Sequence, residues 1–112
     1  MAKLLTATGA LTTVTPKDGK RFTLQELQAH VGGYIQILDR TVPATGPEFA
    51  DINVLVSPGT GKARVRMVMD EEGKLKTGAR VNPRATAILA SALMPHDQIV
   101  GDVLIMEVGD KL

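Results

Sequence analysis

The sequence predicts an α+β domain in which two short helices pack on a bent antiparallel or mixed sheet of about six strands. Three observations support this prediction. Two segments begin with good helix-capping residues, several runs have strand-like apolar character, and glycine and proline separate these runs. The 112 residues predict a single domain, residues 1–112, with enough chain for one hydrophobic core.

The chain begins with a predicted hairpin followed by a short helix. Two runs rich in Thr, Leu and Val indicate the hairpin, and they are residues 2–8 and 10–15 around Gly9. Thr23 and Glu26 have the spacing of a capping box, which predicts a helix from there to about residue 31, before two glycines. We expect Leu24, Leu27 and Val31 to face inward, and Gln25, Glu26, Ala29 and His30 to face solvent.

Four further strands are predicted in the middle of the chain, at residues 34–42, 50–56, 62–69 and 74–76. In the third of them, the period of two separates a basic face from an apolar face. The basic face consists of Lys62, Arg64 and Arg66, and the apolar face consists of Ala63, Val65, Met67 and Met69. The turn that follows is expected to hold Gly73 at a positive φ.

The segment 57–62 resembles part of a phosphate-binding P-loop but departs from that motif at two positions. Val56 stands where the first glycine belongs, and Ala63 replaces the Ser or Thr that should follow the lysine. We therefore interpret residues 57–61 as an ordinary hairpin turn.

The second helix is the most clearly marked element. Asn82 can cap it and Pro83 fits its first position, which predicts a helix that ends near Met94. Its inner face consists of Ala85, Ile88, Leu89, Ala92 and Leu93. The last run, residues 99–108, is apolar on both faces after a break at Gly101 and Asp102, which is typical of a central strand covered on both sides.

Composition narrows the chemistry that this chain can perform. There is no cysteine, which excludes thiol nucleophiles, disulfides and cysteine metal sites. His30 and His96 are the only imidazoles and are assigned surface roles, so we predict no metal site, no catalytic residue and no cofactor. The net charge of +1 and the three aromatic residues give no strong nucleic-acid signal. We also expect no membrane span and no signal peptide.

The basic residues give the best functional prediction. Arg80 and Arg84 flank the helix start at Asn82, where unpaired N–H groups favour an anion, and Arg64 and Arg66 share one strand face. Guanidinium groups match phosphate with forked donors. The alternative is a solvated strand face with helix-flanking charges. Tyr34 could stack on a base or sugar, or fill the edge of the core with its hydroxyl in water.

Four segments in this order resemble a family of small phage and plasmid proteins catalogued as a domain of unknown function. The segments are residues 31–35 (VGGYI), 70–75 (DEEGKL), 82–86 (NPRAT) and 99–105 (IVGDVLI). The resemblance covers most of the chain from about Thr23 onward. It implies a mobile-element origin and a cytoplasmic setting in a bacterial host cell, but no established activity. Its motif positions Tyr34, Asn82, Arg84 and Thr86 are candidates for a pocket.

Three functional hypotheses follow. The first is a non-enzymatic phage-type protein that sequesters a small anionic, nucleotide-derived signal in counter-defence, with ligand-binding residues Tyr34, Arg64, Arg66, Arg80, Asn82, Arg84 and Thr86. The second is a protein-interaction module that inhibits a host defence or regulatory protein. The third is an enzyme acting on nucleotides, which ligand turnover or a metal held near His96 and Asp97 would support. A homo-oligomer is expected, because a small strand-rich domain gains stability by pairing sheet edges or burying exposed apolar surface.

Overall fold

The computed structural model describes residues 1–44, 46–76 and 78–110. The described elements are β1 (Ala2–Leu5), β2 (Leu11–Val14), α1 (Leu24–Val31), β3 (Ile35–Pro43), β4 (Lys62–Asp70), α2 (Pro83–Leu89) and β5 (Val103–Met106). Short 3-10 turns lie at Pro47–Phe49, Gly73–Leu75 and Ala90–Ala92. Among these residues, no helix has both the length and the apolar character needed to cross a membrane.

The five strands form one antiparallel sheet in the order β2-β1-β5-β4-β3. This confirms the α+β class, with one strand fewer than predicted. All four residues of β5 are buried in the centre of the sheet, as their apolar character on both faces predicted. The two outer strands, β2 and β3, leave a sheet edge on each side.

The two helices cover opposite faces of the sheet. Leu27 and Val31 of α1 pack in one apolar cluster with Val68 and Leu104. On the other face, the buried side of α2 packs with the alternate residues of the same strands and with β1. That second cluster includes Leu5, Val65, Met67, Ala85, Ile88, Leu89, Val103 and Ile105. The molecule is therefore a helix–sheet–helix sandwich.

The capping box of α1 is confirmed, but two of its residues face the opposite way to our prediction. The Thr23 hydroxyl accepts from the Glu26 N–H at 3.2 Å, and the Glu26 carboxylate accepts from the N–H groups of Thr23 (2.8 Å) and Lys17 (2.7 Å). Glu26 is buried by these contacts, while Leu24 is 57% exposed. The Glu26 carboxylate is buried because it binds backbone N–H groups of both the helix start and the preceding loop. A prediction from the positions of apolar residues does not include such bonds.

The predicted strand at residues 50–56 is wrong. The chain forms a 3-10 turn at Pro47–Phe49, takes a positive φ of 63° at Asp51 and makes only one bridge, between Val56 and Ala63, among the described residues. Phe49 and Ile52 are buried in the α2 cluster. Two residues three positions apart share one side of a turn, but they point to opposite faces of an extended strand. The burial of both side chains against α2 therefore requires a turn here.

The predicted strand at residues 74–76 is also wrong, as is the positive φ at Gly73. Gly73–Leu75 is a 3-10 turn, Gly73 is buried with an ordinary φ, and Leu75 points into solvent. A β-carbon on Gly73 would lie 3.4 Å from the carbonyl oxygen of Val100. The glycine therefore packs closely against Val100 and does not form a left-handed turn.

Helix α2 starts as predicted and ends earlier. Asn82 caps it and Pro83 occupies its first position, but the α-helix stops at Leu89 and a 3-10 turn continues to Ala92. Ala92 is consequently exposed, against our expectation, and Leu93 is half-buried. The alternation predicted for residues 62–69 is confirmed, since Ala63, Val65, Met67 and Met69 are all buried.

Candidate functional site

The predicted ligand-binding residues are divided between the two faces of the sheet. Arg64 and Arg66 alternate with the buried residues that contact α2, so their side chains lie on the face that α1 covers in part. Arg84 belongs to α2, on the opposite face. The structure therefore does not bring the strand arginines and the helix-start arginine together in one pocket.

Asn82 is fully buried and its side chain is engaged inside the protein. Its Nδ2 donates to the carbonyl oxygens of Leu5 (3.0 Å) and Gly101 (2.9 Å), and its Oδ1 accepts from the Ala85 N–H at 3.1 Å. The residue caps α2 and ties it to β1 and to the loop before β5. These bonds use both of its amide protons.

Arg84 and Thr86 are likewise engaged by backbone groups. The Arg84 Nε donates to the carbonyl of Glu48 at 2.8 Å and its Nη2 donates to that of Ala50. The Thr86 hydroxyl accepts from the Ile99 N–H at 2.9 Å and donates to the Asn82 carbonyl at 2.8 Å. The NPRAT segment thus organises the fold around α2.

Arg80 and Tyr34 are exposed at two other places. The backbone carbonyl of Arg80 accepts from the Gly101 N–H at 2.8 Å, and that of Tyr34 accepts from the Glu71 N–H at 2.8 Å. The Tyr34 side chain is 69% exposed and lies beside Gln28 and Lys76. The interpretation that Tyr34 fills the core edge is wrong, because most of its ring is in solvent.

Arg64 and Arg66 converge on Asp39 of the neighbouring strand. Arg64 makes a forked pair with this carboxylate, with Nε and Nη2 each 2.7 Å from an oxygen, while Arg66 approaches it at 3.4 Å. The Arg64 guanidinium holds the pKa of Asp39 below its ordinary value of 3.8, and Arg66 adds to this effect. Asp39 is directly opposite Arg66 in the β3–β4 register. Two positive groups therefore share one negative group.

A cleft of about 250 Å³ opens beside these arginines. Its walls include Arg64, Arg66 and two apolar side chains, Leu55 (74% exposed) and Val108 (50% exposed). We call this site the arginine cleft. Two carboxylates besides Asp39 are in its lining: Glu107 accepts from the Asn53 N–H at 2.6 Å, and Asp110 pairs with the N-terminal ammonium at 2.8 Å.

Arg66 has the most available donors of the arginine cleft. A guanidinium has five N–H donors, and the single hydrogen bond of the Arg66 side chain within the described residues is the 3.4 Å contact with Asp39. Lys62 is exposed on the same strand face, four residues from Arg66, with no carboxylate of the described chain within ion-pair distance. Cationic donors beside exposed apolar side chains can hold an anion that also carries an apolar part.

Sequence reasoning identified Arg64 and Arg66 but missed Asp39, Leu55 and Val108. The residue types at these positions gave no signal by themselves, because a single acidic residue and single apolar residues are common in strands and loops. The pairing of β3 with β4 places Asp39 opposite Arg66, and the bond from the Val108 N–H to the Asn53 carbonyl brings the C-terminal segment close to the loop that carries Leu55. Both contacts join residues that are distant in sequence, so the local sequence pattern could not predict them.

A second cleft, of about 360 Å³, lies on the α2 face next to β3. Leu38, Met69, Leu89 and Leu93 contribute apolar side chains, and Arg40 is in its lining. We call it the β3 cleft. Asp97, also in this lining, pairs with Lys74, whose ammonium holds the pKa of Asp97 below its ordinary value.

The remaining sequence features have simple structural roles. Residues 57–61 form the predicted hairpin turn, in which the Ser57 N–H donates to the Lys62 carbonyl at 2.8 Å. Within the described ranges, no group of three or more His, Asp or Glu side chains is placed to hold a metal ion. Comparisons with protein-family models, with curated proteins and with solved structures find no match to this chain.

Proposed function

We propose that this protein is a non-enzymatic binding protein that holds a small anionic, nucleotide-derived ligand in the arginine cleft. One observation carries the proposal. The Arg66 guanidinium lines this cleft beside Arg64, and its one hydrogen bond among the described residues is a long contact with Asp39. Charge-assisted bonds to phosphate are among the strongest hydrogen bonds in proteins. The proposal follows the sequence prediction for Arg64 and Arg66 and moves the phosphate position away from Asn82 and Arg84.

The apolar walls favour a nucleotide over a bare phosphate ion. Leu55 and Val108 are large, exposed and adjacent to the arginines. The flat face of a base can cover such side chains while its phosphate meets the guanidinium groups, which buries apolar surface in addition to pairing charge. By analogy with small non-enzymatic phage proteins that counter host immunity, we propose that the protein sequesters such a signal in the cytoplasm of a bacterial host.

A thermal-shift screen against linear and cyclic nucleotides tests the proposal, because a ligand that binds only the folded state raises the melting temperature. We expect a shift with at least one nucleotide that is recovered intact, and a smaller one with inorganic phosphate. Recovery of a chemically altered nucleotide would favour the enzyme hypothesis. No shift with any nucleotide would contradict the proposed function.

Three variants locate the site. Arg66→Ala should weaken nucleotide binding about tenfold to more than a hundredfold, the equivalent of roughly 1.5–3 kcal/mol for a charge-assisted bond. Asp39→Asn should strengthen it, because the competing carboxylate is removed while the shape is kept. Arg21→Ala, an exposed arginine outside the cleft lining, is the charge-matched control and should leave binding unchanged. Equal nucleotide affinity of all three variants would show that the ligand does not bind in the arginine cleft.

A protein-interaction module is the second candidate function, and the exposed apolar side chains favour it. Leu75 and Met94 are largely in solvent, and Met94 borders the β3 cleft. Large exposed apolar groups next to a cleft are typical of protein-binding surfaces. Capture of one host protein by the wild-type chain, lost in Met94→Ser and kept in Arg66→Ala, would support this function over nucleotide binding.

We also propose that the protein works as a homo-oligomer. The sheet has two uncovered outer strands, and the longer of them, β3, has nine residues and carries the exposed Ile37. Exposed strand edges pair readily with other strands. Sedimentation of the purified chain over a range of concentrations tests this proposal.

A further inference from the structure

The free edge of β3 has a defined set of unpaired backbone groups. The Ala44 N–H donates to the Gly61 carbonyl at 2.9 Å, and the Glu71 N–H donates to the Tyr34 carbonyl at 2.8 Å. These bonds join directly opposite residues, so the even-numbered residues of β3 are the ones that exchange hydrogen bonds with β4. The odd-numbered residues therefore direct their N–H and C=O groups to the open edge, and they are Ile35, Ile37, Asp39 and Thr41.

The edge lies open within the described part of the chain and ends at a proline. β3 is the last strand of the sheet and pairs with β4 alone. Pro43 has no N–H to offer, so the useful edge runs from Ile35 to Thr41. The Arg40 Nη1 donates to the outward carbonyl of Asp39 at 3.0 Å and leaves the second lone pair of that oxygen for another donor.

We infer that the β3 edge binds a second copy of this chain, with the two β3 strands antiparallel about a two-fold axis at Leu38. This inference rests on the proposed homo-oligomer and specifies its interface. In this register, Ile35 faces Thr41 of the second copy and Ile37 faces its Asp39. Each such pair joins outward-directed residues of both copies and exchanges two hydrogen bonds. The result is one continuous ten-stranded antiparallel sheet.

The side chains on the α2 face agree with this register. Leu38 faces Leu38 of the second copy, and on either side Gln36 faces Arg40 of the other copy. Gln36 and Arg40 are exposed in the single chain, and both line the β3 cleft together with Leu38. The interface therefore has an apolar centre between two polar pairs, and it brings the β3 clefts of the two copies side by side.

Other registers that satisfy the same backbone groups are less favourable. A two-fold axis at Asp39 places two carboxylates opposite each other, and an axis at Arg40 does the same with two guanidinium groups; directly opposed like charges destabilise a sheet. An axis at Ile37 reduces the overlap of β3 to residues 35–39. The axis at Leu38 keeps the overlap at residues 35–41 and opposes no like charges.

Substitutions at Gln36 test the interface without touching the arginine cleft. Gln36→Lys opposes Arg40 of the second copy at two symmetric positions, and we expect it to raise the dimer dissociation constant about tenfold. Gln36→Glu is the matched control at the same exposed position and should lower that constant, because it pairs with Arg40. The double variant with Gln36→Lys and Arg40→Glu places an ion pair of the opposite orientation at the same two positions and should restore dimerisation to about the strength of Gln36→Glu.

Analytical ultracentrifugation of the wild type and the three variants decides between the outcomes, with circular dichroism to confirm that each variant is folded. The expected order of dimer affinity is Gln36→Glu and the double variant, then wild type, then Gln36→Lys. A wild type that stays monomeric at its highest soluble concentration overturns both the interface and the proposed homo-oligomer. A dimer with the same dissociation constant in all four proteins overturns this interface and leaves the homo-oligomer. Neither result bears on nucleotide binding, which the thermal-shift screen reports.

Discussion

Arg84 contacts backbone carbonyls of a loop, and this makes it a structural residue. Its guanidinium donates to Glu48 and Ala50 and so fixes the Pro47–Phe49 turn against α2. Hydrogen bonds from a charged group to backbone oxygens stabilise a fold more than neutral ones do. The residue that the sequence marked as a phosphate clamp thus uses two of its five side-chain donors to hold the loop.

Arg84→Ala is expected to lower the free energy of unfolding by roughly 1.5–3 kcal/mol, because two carbonyls lose a charged donor. Arg80→Ala is the control: Arg80 is exposed, has no side-chain hydrogen bond in the described structure and should change stability by less than about 0.5 kcal/mol. Urea denaturation measures both. Equal effects of the two substitutions would show that the loop is not held by Arg84.

Substitution of Asn82 is expected to lower the free energy of unfolding more than substitution of Arg84. Asn82→Ala removes the cap of α2 and leaves the carbonyls of Leu5 and Gly101 without their donor, which should cost about 2–4 kcal/mol. Asn82→Ser keeps a neutral capping oxygen and removes the amide donor, so its effect separates the two contributions. If Asn82→Ala costs no more than the roughly 1 kcal/mol of a helix cap, the buried bonds contribute nothing.

At the scale of elements, local signals predicted the helices well and the strands less well. Capping residues act within four positions of the chain, so Thr23, Glu26, Asn82 and Pro83 identified both helix starts correctly. A strand forms only where a partner strand is available. Two segments, residues 50–56 and 74–76, have strand-like patterns but form no strand. Ile52 of the first packs in the α2 cluster, and the second continues the 3-10 turn at Gly73–Leu75. Both outcomes depend on contacts that are distant in sequence.

The capping box predicts a pH dependence of stability. The backbone N–H groups of Thr23 and Lys17 hold the pKa of Glu26 below its ordinary value of 4.5 in the folded state. A group with a depressed folded pKa contributes stability that is complete above its unfolded pKa and is lost as the pH falls through the folded pKa. We therefore expect Glu26 to stabilise the fold fully above about pH 4.5 and progressively less below it.

Denaturation of the wild type and Glu26→Gln between neutral and acidic pH measures this contribution. The difference in unfolding free energy between the two proteins should be largest near neutrality and shrink below pH 4.5 as the wild-type carboxylate is protonated. A difference that is constant over the whole range would mean that ionisation of Glu26 plays no part in capping α1.

At the scale of the whole molecule, the sheet separates two groups of residues that the sequence analysis had combined in one site. These groups are the arginines of β4 and the residues at the start of α2. The sequence predicted the α+β class, the central β5 strand and the basic face of β4. It could not predict that α2 lies on the opposite side from Arg64 and Arg66, because the side on which a helix packs depends on strand order. Without strand order, the sequence places no candidate ligand-binding residue of the seven on a separate face.

The sandwich predicts that the centre of the sheet dominates stability. Leu104 is fully buried between β1 and β4, so Leu104→Ala should cost roughly 2–5 kcal/mol through lost transfer energy and a cavity. Leu75→Ala makes the same change at an 85% exposed side chain and should cost less than about 0.5 kcal/mol. Comparable losses for the two leucines would contradict the order of the strands.

The most direct test of the proposed binding site is a two-dimensional amide NMR titration of the wild-type protein with the nucleotide that gives the largest thermal shift. We predict that the perturbed amides cluster around the arginine cleft, at Leu55, Arg64, Arg66 and Val108, and that those of residues 80–86 stay in place. Perturbations confined to residues 80–86, or none at the arginine cleft at saturating nucleotide, would contradict the proposal that the strand arginines bind the ligand.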